Sequence, residues 1–212
     1  MGFMSTIEKF KDIPIILGIT IAAIIIDTSN PTVVNCVRWI YYSVHAINLI
    51  IIFLAHIDIL NKNQKEKFTY TQITSTMGAL GEDEVRVINI PIKDYDLINK
   101  NVLLRSNLIV LSALTFTHVC FGWTRPLLLQ VYFPIKLLYV HPLIRVHVFQ
   151  SEAKGQLARP WDMYSRVPLS TLGNVIRERP TTPKDIKNQK KELSQQRDLK
   201  PEEKAKKMKK RR

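Results

Sequence analysis

The sequence predicts a mainly α membrane protein. About four membrane-embedded helices, in the order short, long, long, short, carry a small cytosolic β-sheet and a basic C-terminal tail. Three observations predict this. Two separate 19-residue stretches, Trp39 to Ile57 and Ser106 to Thr124, contain no Asp, Glu, Lys or Arg, and roughly 20 such residues cross a bilayer core. Charge is segregated from them: of the formal +13, residues 181–212 hold thirteen basic and five acidic side chains, a net of +8. Between the two apolar stretches lie short runs rich in β-branched and aromatic residues. The mean hydropathy of −0.03 averages a greasy body with a polar tail, so it does not describe one soluble domain.

The first element is the apolar run Ile13 to Ile26, closed by Asp27. As a helix it is about 21 Å long, less than the ~30 Å hydrocarbon core. Its length suits a signal-peptide core or a buried helix, but no small-x-small site follows, which favours an uncleaved membrane segment. Asn30 then suits an N-cap and Pro31 a first-turn position. The long stretch that follows has Trp39, Tyr41 and Tyr42 crowded at one end, the pattern of an interfacial aromatic belt.

Phe68 to Thr74 and Val85 to Ile90 read as two strands joined through 78–83, a small hairpin outside the bilayer. Asp94 suits the N-cap of a third helix. That helix carries Ser106 to Thr124 and leaves through the turn 122–126. Leu127 to Val140 is apolar but interrupted by Gln130, Pro134 and Lys136, and is again short. Leu143 to Phe149 alternates with period two and reads as a third strand. The chain thus divides into N-terminal membrane helices (1–60), a hairpin (61–93), C-terminal membrane helices (94–141), a third strand with an extended segment (142–162), and a basic, partly disordered tail (163–212).

Segment 58–101 holds six Lys or Arg and the tail thirteen, whereas the turns 27–32 and 122–126 hold Arg125 alone. The positive-inside rule therefore places the hairpin and both termini in the cytosol.

Two cysteines in apolar runs, seven glycines, and no Cys/His cluster, phosphate loop or nucleophile elbow argue against a disulfide scaffold, a metal centre, a cofactor and enzymatic catalysis. Polar side chains at membrane depth are the informative ones. Lys136, Gln130, Asn107, His118 and Asn48 are candidate lining residues of a polar groove. A mid-helix lysine costs roughly 2.5–3.5 kcal/mol on insertion scales, so Lys136 either lines a groove, meeting water or a substrate carboxylate, or snorkels to headgroups. Arg38, Arg105 and Trp39 suit interfacial anchors. The terminal Lys209, Lys210, Arg211 and Arg212 fit a di-lysine ER-retrieval signal, or a patch for rRNA phosphates or anionic lipid.

Several motifs recur in a fixed order: Asn30-Pro31-Thr32 with Arg38 and Tyr41, then Lys93-Asp94-Tyr95-Asp96-Leu97, Pro126-Leu127, Gln130 and Pro134-Ile135-Lys136. Arg145 to Phe149 and Gly155 to Pro160 follow. In these the chain resembles, from about residue 20 to 162, the eukaryotic ER membrane family known both as inorganic phosphate transport protein and as the third component of the SRP-independent targeting (SND) pathway. It departs from that family in Ile- and Leu-rich rather than Met-rich helices and in a longer basic tail. The resemblance implies a multi-pass ER protein that helps nascent membrane-protein clients reach or enter the bilayer. Such a protein would work near the ribosome and the Sec translocon, with other SND components. It equally implies the alternative, a part in inorganic phosphate transport.

Overall fold

A computed structural model describes residues 12–76, 84–161, 174–191 and 194. The expected hairpin loop at 78–83 and the terminal Lys209 to Arg212 fall outside the described residues. The chain forms two compact units: 1–63 with 96–152, and 64–95 with 153–212.

In the first unit, α1 spans Ile13–Ile25. The helix α2 runs over Pro31–Lys62, with Asn30 accepting from the Thr32 N–H at 2.9 Å as N-cap and Pro31 in the first turn. It stops at Asn63, whose φ of 41° is the left-handed C-cap geometry. The helix α3 covers Ile92–Phe121 and ends at Gly122, φ 69°. It starts two residues before the expected Asp94 cap. Asp94 sits instead in its first turn, where a carboxylate suits the positive end of the helix dipole. Arg125–Val140 forms α4, with Pro134 inside it.

Four contacts show that α2 and α3 run antiparallel, because their numbers climb on one helix and fall on the other. Arg38 meets His118, Tyr41 meets the Leu111 carbonyl, Asn48 meets Asn107, and Asp58 shares His147 with Asp96. Val37, Tyr41 and Leu127 form a buried cluster against Leu111, Leu114, Leu128 and Val131. Tyr41 therefore belongs to the core rather than to an aromatic belt, while Trp39, 74% exposed, faces outward.

α2 and α3 are long and apolar enough to cross a membrane, and only 28% and 11% of their most apolar windows are buried within the protein. A core helix of a soluble protein is mostly buried. Here Ile50, Phe53, Phe116 and Val119 all lie open, and a continuous apolar exterior of this kind calls for lipid. α1 and α4 are shorter: 13 and 16 residues, or about 20 and 24 Å.

The expected third strand at 143–149 is instead a helix, α5 over Pro142–His147. Pro142 opens it and the His141 ring accepts from the Leu143 N–H. Leu143, Ile144, Val146 and His147 are its buried side chains. That is a helical face, whereas the run Ile144-Arg145-Val146-His147-Val148 alternates apolar and polar as a strand would.

The second unit holds a three-stranded antiparallel sheet in the order β2-β1-β3, with β1 at Lys67–Thr76, β2 at Glu84–Pro91 and β3 at Asn174–Pro180. Thr74 pairs Glu84 and Lys67 pairs Pro91 in the hairpin, while Tyr70 pairs Pro180 on the other side. The third strand thus comes from a stretch expected to be tail. A helix at 183–191, α6, follows it.

Tyr95 organises the unit's core. Its hydroxyl donates to Glu178 Oε2 at 2.7 Å and accepts from the Trp161 N–H at 2.7 Å, and its ring packs on Phe68, Tyr70 and Trp161. Burial, and secondarily the charge of Glu178, pushes the Tyr70 hydroxyl up to about 12. Asp185 receives both Arg179 terminal nitrogens, at 2.8 and 2.9 Å, and the N–H and hydroxyl of Thr182. Asp185, three residues on, thereby reaches back to the Thr182 N–H at the start of α6, half of the capping-box pattern.

Candidate functional site

A polar seam runs down the first unit between α2 and α3, and each of its side chains is placed by helical spacing. Arg38, Tyr41, His45 and Asn48 recur every three or four residues, so they share one face of α2. Arg38 Nε donates to His118 Nε2 at 2.7 Å, and His118 Nδ1 lies 3.1 Å from the Trp123 carbonyl. Asn48 Nδ2 donates to Asn107 Oδ1 at 2.6 Å, and Asn107 Nδ2 donates to the Leu103 carbonyl at 2.8 Å.

Beside this seam, midway along α2, lies a cavity of about 150 Å³ lined by His45, Ser106, Asn107 and Gln130 with Phe133 and Pro134. His45 packs its ring edge-on to Tyr41. Its Nε2 and the Asn48 Oδ1 are buried and have no hydrogen-bond partner among the described residues.

The expected groove residues therefore separate. Gln130 and Asn107 meet at the cavity and Asn48 adjoins it through Asn107. His118 lies further along α3, held by Arg38. Lys136 instead pairs with Asp12, whose other carboxylate oxygen accepts from the Tyr132 hydroxyl at 2.7 Å. The two side chains are 35% and 22% exposed, so the pair is neither dry nor free. It ties the start of α1 to α4. Arg38 is a bridge between helices rather than an anchor alone, also reaching Asn35 at 3.0 Å. Arg105 lies on an open, mostly apolar face of α3 with Leu104, Leu108 and Ile109.

His45, one of the polar residues that the sequence places at membrane depth, is set against Gln130 by the fold. The sequence did not show a junction at the far end of the seam. His147 Nδ1 lies 2.7 Å from Asp58 and Nε2 3.0 Å from Asp96, and Lys62 completes the set at 2.8 Å from Asp58. Both ring nitrogens face carboxylate oxygens, so His147 joins α2 to α3. The motifs Lys93 to Leu97 and Arg145 to Phe149 held two of these residues, but nothing in their spacing joined them.

Among the described residues no group of three or more His, Cys, Asp or Glu side chains could hold a metal ion. What the first unit offers is an open pocket lined by four uncharged polar side chains and by Val110, Phe133, Pro134 and Leu137.

The chain belongs to the phosphate transport (Pho88) family, whose pattern matches residues 7–198. It is similar to SRP-independent targeting protein 3 of Saccharomyces cerevisiae, 29% identical over 64% of this chain and 71% of that protein. It is also similar to the SRP-independent targeting protein 3 homolog of Schizosaccharomyces pombe, 24% identical over 80% of this chain and 86% of that one. No solved structure matches.

Proposed function

We propose that this protein is a multi-pass ER membrane factor of SRP-independent targeting. It assists the entry of nascent membrane proteins near the ribosome and the Sec translocon, together with other components of the same route. One observation supports this reading: a pocket bearing four uncharged polar side chains at mid-height of two long apolar helices, in a unit that also holds two helices too short to match a bilayer. An insertion factor needs no nucleophile. It has to lower the cost of moving polar groups through hydrocarbon, and a polar interior with a locally thinned bilayer does that. The names of the relatives point the same way.

In this reading all four helices embed, both termini and the hairpin face the cytosol, and the basic end from Lys209 to Arg212 serves retrieval or meets rRNA or anionic lipid. Direct phosphate carriage asks for converging cations at depth. Arg38 is committed to His118 and Lys136 to Asp12, which weighs against it.

The test is depletion of the protein from ER-derived membranes followed by cell-free translation of membrane-protein clients. Reduced insertion is expected; unchanged insertion of every client sinks the proposal. Single-cysteine labelling from each face of sealed vesicles, in 27–31, 63–66 and 122–124, reports the topology.

A further inference from the structure

The cavity between α2, α3 and α4 has a specific chemical bias. Pro134 lies inside α4 and has no N–H, so the main-chain carbonyl of Gln130 loses its helical donor four residues on. Asn48 spends an amide donor on Asn107, and Asn107 spends one on the Leu103 carbonyl. Left over at the lining is an acceptor, His45 Nε2 in one tautomer, unpartnered among the described residues on a side chain that is 3% exposed; Asn48 Oδ1, behind Asn107, is likewise unpartnered.

Among the described residues no Lys, Arg, Asp or Glu lines the cavity. An anion finds no countercharge there and neither does a cation. A neutral group that brings N–H donors completes it. A volume of about 150 Å³ holds a few waters at about 30 Å³ each, or one side-chain amide.

We propose that this cavity binds the carboxamide side chain, Asn or Gln, of a client transmembrane helix. The inference rests on the targeting reading and names the substrate class of that site. A lone carboxamide in hydrocarbon lacks partners until its own protein folds. Here its NH₂ reaches His45 Nε2 and the Gln130 side-chain oxygen, both on lining residues, and the Gln130 amide offers donors in return.

The test uses the full chain in ER-derived membranes, with the photoreactive residue p-benzoylphenylalanine in place of Val110 at the cavity rim, or of Ile25, 76% exposed on α1, as control. Test clients are single apolar segments with a central Gln, Leu or Glu. The Gln client is expected to cross-link from position 110 about threefold more than the Leu client, the factor that one intramembrane hydrogen bond supplies. Gln130→Leu, at a half-buried lining position, removes that preference and leaves cross-linking from position 25 unchanged. His45→Leu does the same should Gln130→Leu fail to fold. Equal cross-linking of the Gln and Leu clients, or a preference for Glu over Gln, overturns the proposal. If depletion still lowers insertion in that case, only the carboxamide site is lost. If depletion changes nothing, the targeting reading fails with it.

Discussion

Arg38 Nε donates to His118 Nε2 at 2.7 Å, although the two residues are 80 apart in sequence. An arginine Nε has only a proton to give, so Nε2 must accept. The ring proton then sits on Nδ1 and is donated to the Trp123 carbonyl at 3.1 Å. One arginine thus sets a histidine's tautomer and, through it, holds the turn after α3.

That chain of contacts separates a bridge from an anchor. An interfacial anchor needs a cation at the right depth, and lysine supplies one. A bridge needs the arginine Nε geometry, which lysine lacks. Arg38→Lys is therefore expected to destabilise the detergent-solubilised protein about as much as Arg38→Met. Arg38 is exposed and water screens the bond, so the scale lies at or below the lower end of the roughly 1.5–3 kcal/mol of a hydrogen bond to a charged group. Thermal unfolding checks this, and a neutral Arg38→Lys returns Arg38 to the interface.

Halfway along the same seam the bond from Asn48 to Asn107 spans 2.6 Å. A double-mutant cycle of Asn48→Leu and Asn107→Leu isolates its worth. Coupling of about 0.6 kcal/mol, and no more than about 1.7, is expected for a hydrogen bond between membrane helices. Zero coupling in unfolding titrations would mean that the two amides find equal partners elsewhere.

The two long helices were legible in the sequence because nineteen uncharged residues leave few alternatives, and Asn30-Pro31 marked a start the structure keeps. The strands at 68–74 and 85–90 were legible from β-branched composition. The stretch 143–149 was not, because Leu143-Ile144-Arg145-Val146-His147 fits either period. There a proline and a capping histidine decide the outcome, not hydropathy. The strand at Asn174–Pro180 was hidden inside a basic tail, its pairing with β1 being a contact about 110 residues away by sequence, as Thr71 and Thr181 show. Thr182-Pro183-Lys184-Asp185, a helix start with Pro183 in its first turn, was masked by the charge run. The candidate site divided in the same way. Helical spacing puts Asn48 and His45 on one face, but only the packing of α4 shows that Gln130 joins them and that Lys136 turns to Asp12.

The Asp12–Lys136 pair explains how a lysine is tolerated in a short apolar helix. Removing one partner leaves an unpaired charge, whereas removing both leaves none. Lys136→Met and Asp12→Asn are each expected to lower stability, near or below the lower end of the roughly 3–5 kcal/mol typical of broken buried pairs, because both side chains keep some exposure. The double variant is expected to recover most of the loss. Thermal unfolding of the four proteins in one lipid mixture decides it. A double variant as unstable as the sum of the singles would show that Lys136 contributes through something other than Asp12.

Asp185 gives the second unit a defined acid sensitivity. The Arg179 guanidinium first, then the Thr182 N–H, hold its carboxyl well below the usual carboxylate range, against a smaller opposing effect of burial. A depressed native value means that the unfolded chain binds the proton more readily. The stabilisation is therefore complete above the unfolded value of about 3.9 and fades as the pH falls below it toward the native value. Hydrogen exchange over 174–191 is expected to be slow at neutral pH and, after correction for the intrinsic rate, to accelerate below about pH 4. Asp185→Asn removes the charge and part of the cap, so at neutral pH it loses roughly 1–3 kcal/mol. The lower part of that range is favoured because Arg179 is 40% exposed and water screens the pair. Exchange in this variant then stays flat through the acid window. If Asp185→Asn instead kept the wild-type acid profile, the responsible carboxylate would lie elsewhere, with Glu178 beneath Tyr95 the next to substitute.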